Sequence, residues 1–172
     1  MLFRSKIHAN QLSASGAVET AVKAGAISVD HLENMNESAI QVLASSNTIG
    51  TILPGAAFFL RMNYPPVREM ISANCAIALA SDLNPGSCPS GNMNLVMALA
   101  CIQCKMLPEE AINAGTINGA WAMGLEQELG SITNGKMANL IFTKPMNSIR
   151  SIPYFFGDDP IDKVMINGKF FS

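Results

Sequence analysis

The chain has 172 residues, of which 49% are hydrophobic and only 14% are charged, as expected for a domain that buries much of its surface. The formal net charge of −2, without a Lys/Arg cluster, gives no electrostatic case for binding nucleic acid or an anionic membrane. No segment approaches the roughly 20 apolar residues of a membrane span, and a signal peptide is not expected because polar residues interrupt the first residues too early.

Strand and helix patterns alternate over residues 1–125. Apolar runs predict four strands, and helical spacing or a capping residue predicts helices between and after them. A long loop is expected at residues 54–65. The alternation is typical of a parallel sheet with crossover helices. The predicted strands are residues 2–8, 26–31, 48–53 and 75–80, and the predicted helices are residues 13–23, 36–46, 66–73, 92–104, a segment from 108 and residues 118–125.

The pattern changes after residue 125. Residues 130–136 and 139–143 resemble antiparallel strands around a glycine turn, and residues 162–171 predict a β-hairpin on an Asn-Gly turn. We therefore expect two regions, 1–125 and 126–172. A complete (β/α)8 barrel takes ~250 residues, so four strand–helix units form either an open sheet or half of a barrel.

Three polar side chains are predicted to lie at the ends of strands. His8 and His31 are the only two histidines of the chain, and Asp82 follows the fourth strand. Taken singly, such residues are more often structural, or solvated at a turn. Together they would converge above the sheet, and imidazole nitrogen and carboxylate oxygen are ligands that zinc and ferrous iron accept. The residues alone therefore favour a metal-dependent hydrolase.

The four cysteines do not form a paired metal-binding framework. The one CxxC, at residues 101–104, lies in an apolar stretch that predicts a helix interior. We expect reduced, buried thiols and a reducing cytoplasmic compartment.

Several segments, spread over nearly the whole chain, together carry a family resemblance. They are Ile7-His-Ala-Asn-Gln11, Gly25-Ala-Ile-Ser-Val-Asp-His-Leu-Glu33, Leu53-Pro-Gly55, Tyr64-Pro-Pro66, Ala80-Ser-Asp-Leu-Asn-Pro-Gly-Ser87, Met97-Ala-Leu-Ala-Cys101, Ala114-Gly-Thr-Ile-Asn-Gly-Ala120, Gly130-Ser-Ile-Thr-Asn-Gly-Lys136 and Ile152-Pro-Tyr-Phe-Phe-Gly157. The chain resembles the amidohydrolase superfamily and, within it, the imidazolonepropionases of histidine degradation. The resemblance implies the C-terminal half, strands five to eight, of a metal-dependent (β/α)8 TIM-like barrel at 1–125, and a C-terminal piece of a small composite β-sandwich domain at 126–172.

The resemblance also implies roles for individual residues. His8 and Asp82 would bind one divalent metal ion, zinc or iron, and Asp82 would also act as general base. His31 would polarise the substrate carbonyl or hold the attacking water. The reaction implied is hydrolytic opening of 4-imidazolone-5-propanoate to N-formimidoyl-L-glutamate, and the partner is thus a small-molecule substrate.

Four further residues are implied in substrate binding. Gln11 would contact the imidazolone ring, while Asn84, Gly86 and Ser87 would hold the propionate or ring atoms. A His-x-His metal-binding pair, which the family carries on its first barrel strand, is absent from this sequence, so the chain alone is expected to bind metal weakly and to turn over little or not at all. A homodimer is expected for the full-length family. The alternatives are another amidohydrolase, such as a deaminase or a dihydroorotase-like enzyme, and a non-catalytic, self-associating remnant.

Overall fold

The structure is a computed structural model and describes residues 4–171. Two separate sheets organise it. The first sheet consists of β1 (Lys6–Ala9), β2 (Ser28–His31), β3 (Ile49–Ile52) and β4 (Ile77–Leu79). These strands lie side by side in chain order, and every neighbouring pair is parallel. The predicted α/β class with a parallel sheet is thus confirmed.

Helices connect the parallel strands and continue after the last of them. Asn36 caps the second helix by accepting a hydrogen bond from the Ala39 backbone N–H at 2.8 Å, as its sequence position predicts. Gly25, with φ of 71°, follows the end of the first helix in the left-handed conformation that glycine adopts most easily. The helices are α1 (Ala17–Lys23), α2 (Glu37–Ala44), α3 (Pro54–Leu60), α4 (Val67–Ser72), α5 (Met93–Ile102), α6 (Pro108–Gly115), α7 (Ile117–Ala122) and α8 (Ser151–Tyr154).

The predicted loop at residues 54–65 is wrong in its first half, because α3 begins directly at Pro54. Proline has a fixed φ that suits the first helical turn, where its missing N–H has no partner to lose. Residues 54–57 are buried, whereas Phe58 and Phe59 are 56% and 50% exposed. The helix therefore packs its first turn into the protein just beyond the end of β3.

The hydrophobic core lies between the parallel sheet and the helices. It includes Val29, Ile52 and Leu79 from the strands and Leu43 from α2. The opposite face of the sheet is more polar: it carries Lys6, His8, Ser28, Asp30 and Thr51, which alternate with the core residues along their strands. Helix α7 covers part of this face, where Ala122 packs with Ile49 and Ala78.

The second sheet consists of β5 (Leu140–Thr143), β6 (Ile161–Ile166) and β7 (Lys169–Phe171). All its pairings are antiparallel. The hairpin predicted at Asn167 and Gly168 is confirmed, and both residues have positive φ values, 50° and 76°, as a two-residue hairpin turn requires. The strand expected at residues 130–136 is wrong: this segment forms turns and bends.

No helix among residues 4–171 has both the length and the apolar character needed to cross a membrane.

Candidate active site

The two histidines meet at the carboxyl ends of β1 and β2. Their ring centroids lie 4.1 Å apart, with the ring planes tilted by 49°. His8 is exposed, whereas His31 is only 4% exposed. The predicted convergence of these two side chains is therefore present.

The backbone after β2 takes an uncommon path. His31 and Leu32 have φ values of 84° and 71°, in the left-handed region that side chains with a Cβ rarely adopt. The strand register pairs His31 with Ala9, and His8 with Asp30, so alternation alone would direct the two imidazoles to opposite faces of the sheet. Since strained backbone of this kind is concentrated at functional sites, it adds to the case for a site at His31.

Asp82 lies on the loop after β4 and is also left-handed, with φ of 54°. The Ser87 hydroxyl donates a hydrogen bond to its carboxylate Oδ2 at 3.0 Å. The loop thus fixes the orientation of the predicted metal ligand and general base.

Asn84 organises this loop with both ends of its amide. Its Nδ2 donates to the Asp82 carbonyl at 2.7 Å and to Ser87 Oγ at 2.6 Å. Its Oδ1 accepts from the backbone N–H groups of Gly86 and Ser87, both at 2.8 Å. The amides expected to hold the propionate are therefore engaged within the loop, and the substrate-binding roles of Asn84, Gly86 and Ser87 stay predictions.

Gln11 lies just beyond β1 and is half-buried. Its carbonyl accepts a hydrogen bond from Asn34 Nδ2 at 2.7 Å. Asn10, which is 4% exposed, donates through Nδ2 to the Asn34 carbonyl at 3.2 Å, and its own carbonyl accepts from the Asn34 N–H at 2.9 Å. Sequence reasoning missed this link between the loops after β1 and β2, although Asn10, directly after β1, is a residue type that favours a left-handed turn, and its φ is 53°.

Glu33 is a second residue that the sequence reasoning did not single out. Its side chain is 1% exposed, and its Oε1 lies 3.5 Å from His31 Nδ1. A buried carboxylate beside a site histidine is unusual, because burial of a charge is costly unless the charge is paired.

The donors fit a zinc or iron ion in type but not in number. His8 and Asp82 offer imidazole nitrogen and carboxylate oxygen. Among residues 4–171, however, no three His, Cys, Asp or Glu side chains come together to hold a metal ion. Zinc sites ordinarily have at least three protein ligands, so this part of the chain does not provide a full set.

The cysteines do not make up the difference. All four are free thiols, and burial raises the pKa of Cys104 to about 12, with the nearby charges of Glu33 and Cys101 adding to the shift. Without a metal ion Cys104 therefore stays a neutral thiol near neutral pH, and no cysteine among residues 4–171 belongs to a group that could hold an ion.

A cavity of about 740 Å³ opens on the polar face of the parallel sheet. Lys6, Thr51 and Ala78 line its floor, and it extends to Ser81, directly before Asp82. Thr51 is 4% exposed, and its hydroxyl has no hydrogen-bond partner within residues 4–171.

Comparison with known proteins agrees with this fold. The profile of the amidohydrolase family matches residues 4–171, so the chain belongs to this family. More specifically, it is 55% identical to the imidazolonepropionase of Flavobacterium johnsoniae over 96% of this chain, and 54% identical to that of Christiangramia forsetii, also over 96%. It spans only 40% of the length of each relative. The predicted resemblance to imidazolonepropionases is confirmed.

Solved structures show the same fold at low identity. An adenosine deaminase from Xanthomonas campestris with bound zinc superposes with a TM-score of 0.78 at 18% identity, over 96% of this chain and 44% of that one. A Xaa-Pro dipeptidase superposes with a TM-score of 0.76 at 21% identity, over the same shares. At these identities the likeness concerns the fold alone.

Proposed function

We propose that this chain is the C-terminal half of the barrel, strands five to eight, and part of the β-domain of an imidazolonepropionase. The whole enzyme would hydrolyse 4-imidazolone-5-propanoate to N-formimidoyl-L-glutamate, acting in the cytoplasm as a homodimer. The observation that carries the proposal is the close approach of His8 and His31 at adjacent strand ends. It is supported by identity of 40–55% to imidazolonepropionases over almost the entire chain.

In this proposal His8 and Asp82 hold one divalent ion, zinc or iron, together with ligands from the part of the protein that this chain lacks. When bound, such an ion would supply Lewis acidity, which makes water easier to deprotonate and favours negative charge on the carbonyl oxygen. The side chains of this chain orient the reacting groups and transfer the protons. Ser87 holds the Asp82 carboxylate through Oδ2 and so orients it toward the attacking water.

The reaction is an acyl transfer to water. Asp82 accepts a proton as the water oxygen bonds to the ring carbonyl carbon, while His31 holds the carbonyl oxygen or the water. The carbon–nitrogen bond of the cyclic amide then breaks, and the proton on Asp82 passes to the departing ring nitrogen. Because the pair of His31 and Glu33 is almost fully enclosed, bulk water is kept away from this side of the site.

Substrate binding would involve the loops after β1 and β4. Gln11, whose backbone Asn34 fixes, would face the imidazolone ring. Asn84, Gly86 and Ser87 would bind the propionate, for which backbone N–H groups in a tight turn are suited. Since Asn84 Oδ1 now accepts from these amides, propionate binding would exchange internal hydrogen bonds of the loop for bonds to the ligand.

A chimera tests the proposal in a complete protein. This chain would replace the matching 40% of the Flavobacterium johnsoniae imidazolonepropionase, and ring opening of 4-imidazolone-5-propanoate would be followed by ultraviolet absorbance. We expect turnover in the chimera, a loss of roughly 10²–10⁴-fold in Asp82→Asn, and no loss in the control Asp162→Asn, which alters an exposed residue of β6. A folded chimera without turnover on this substrate overturns the proposal, and activity on an aminated ring instead would point to a deaminase.

A further inference from the structure

Glu33 is the most enclosed acidic side chain near the site. The side chain is 1% exposed, and neither carboxylate oxygen has a hydrogen-bond partner within residues 4–171. Burying an unpaired carboxylate costs several kcal/mol on the usual scale, so a favourable interaction at this position is needed to offset that cost.

His31 also has a buried polar atom without a hydrogen-bond partner. Its Nδ1 is buried and likewise has no hydrogen-bond partner within the described chain. Nδ1 lies 3.5 Å from Glu33 Oε1, slightly beyond a hydrogen bond, and such contacts in free enzymes commonly tighten when the site is filled. The two unsatisfied groups thus face each other in an enclosed space.

The backbone between them explains the contact. His31 and Leu32 are both left-handed, which turns the chain sharply at the end of β2. Leu32 is fully buried and anchors the turn in the core, so the side chains of His31 and Glu33 meet across it. Cys104, a buried thiol near Glu33, is kept neutral by its raised pKa and so adds no second negative charge beside the carboxylate.

We propose that Glu33 is a positioning residue that accepts a hydrogen bond from His31 Nδ1–H and thereby leaves Nε2 as an unprotonated acceptor that faces the site. Of the two roles proposed for His31, this form suits holding the attacking water. A neutral imidazole carries one proton, and the hydrogen bond made by one nitrogen decides the state of the other. The His8 ring beside His31 marks the direction of the site. The catalytic importance of this contact depends on the proposed function, but the contact itself does not.

The test exploits the two histidines of the chain. Long-range nitrogen–proton NMR of the metal-free chain at about pH 8, above the ordinary histidine pKa, shows which ring nitrogens carry protons, and His8→Ala assigns the remaining ring to His31. We expect a proton on His31 Nδ1 in the unaltered chain and in Glu33→Gln, whose amide oxygen still accepts. Glu33→Leu should shift His31 toward the Nε2 proton form. Glu37→Gln, at the exposed start of α2, is the control and should change nothing.

An unprotonated Nδ1 in the unaltered chain overturns the inference, as does the same nitrogen pattern in Glu33→Leu and the unaltered chain. Circular dichroism checks that each variant folds. If Glu33→Leu does not fold, Glu33→Asp replaces it, and we expect its shorter carboxylate to weaken the Nδ1 proton signal. An unchanged signal in Glu33→Asp counts against the proposal. The measurement needs neither metal nor substrate. An inactive chimera with protonated Nδ1 would therefore refute the proposed reaction alone, whereas an active chimera with unprotonated Nδ1 would refute only the role of Glu33.

Discussion

The imidazole rings of His8 and His31 lie 4.1 Å apart although their strand positions are not opposite each other: the register pairs His8 with Asp30, and His31 with Ala9. The left-handed φ of His31 accompanies this departure from regular strand geometry. Two imidazoles so close share one small volume. A group bound to one of these rings would therefore lie near the other.

Zinc binding by the chain should depend on His8 and Asp82. We expect weak binding in isothermal titration with zinc chloride, because residues 4–171 do not bring together the usual three protein ligands. His8→Ala and Asp82→Asn should each weaken it further by about tenfold or more, and EDTA should remove it completely. Asp162→Asn is the matched control for a lost carboxylate. Unchanged zinc affinity in His8→Ala would show that zinc binds elsewhere.

The sequence predicts the outline of this site because parallel strands end at the same edge of a sheet. Placing His8 and His31 at neighbouring strand ends was enough to suggest that they meet, as they do. Asp82, also placed at a strand end, does not complete a three-residue metal group with them within residues 4–171. Their surroundings could not be predicted in the same way. Glu33 and Asn10 matter because of left-handed residues just after the strands, and strand periodicity contains no information about such turns.

Asn84→Ala should loosen the loop that carries Asp82. The substitution removes two donated and two accepted hydrogen bonds, of which a neutral one contributes about 1 kcal/mol. We expect the amides of Gly86 and Ser87 to exchange with deuterium at least about tenfold faster, since 1.4 kcal/mol corresponds to a factor of ten. Ser87→Ala leaves both hydrogen bonds from the backbone N–H groups of residues 86 and 87 to Asn84 Oδ1 in place. It should therefore increase the exchange rates less. Equal exchange rates in Asn84→Ala and the unaltered chain would contradict the role assigned to Asn84.

The fold was predicted best where local and tertiary signals agree. The strands of the parallel sheet and the hairpin at Asn167 and Gly168 combine a hydrophobic pattern with a clear turn signal. Pro54 and Gly55 gave a misleading turn signal, because proline also begins helices. At residues 130–136, alternating residues suggested a strand, but no partner strand pairs with it within residues 4–171, and an isolated strand cannot satisfy its backbone groups.

Gly55→Ala should destabilise the packing of α3 against the Asp82 loop. A Cβ at this position would lie 2.8 Å from the buried Cys88 Sγ and 3.6 Å from the Ser81 carbonyl oxygen. Overpacking of this kind costs about 1–3 kcal/mol, measurable as a lower midpoint in urea unfolding. Gly157→Ala is the control, because nothing described lies within 4 Å of its new Cβ. A similar urea midpoint for both variants would show that the Asp82 loop moves to accommodate the new Cβ without loss of stability.

The ion pair between α4 and α6 should make stability depend on pH. Arg68 Nη1 and Nη2 bind the two oxygens of Glu110 at 3.0 and 2.8 Å, and Glu110 also accepts from the Leu107 N–H at 2.8 Å. The hydrogen bonds from Arg68 are the main reason that the pKa of Glu110 lies below its ordinary value of 4.5. The stabilisation is therefore complete above pH 4.5 and is lost as the pH falls through the lower pKa of the folded state. Glu110→Gln should reduce the free energy of unfolding by about 1–2 kcal/mol near neutral pH, and this difference should shrink in acid.

Glu109→Gln is the matched control for this last prediction. It removes the ion pair between Glu109 Oε1 and Arg150 Nε, which lie 2.6 Å apart with side chains that are 44% and 70% exposed. Solvent screens such a pair strongly, so its loss should reduce the free energy of unfolding less than the loss of Glu110. Urea titrations of both variants from neutral to acidic pH make the comparison. A Glu110→Gln difference that grows as the pH falls, or equal losses in the two variants, would refute the assignment of the stabilisation to the bidentate contact with Arg68.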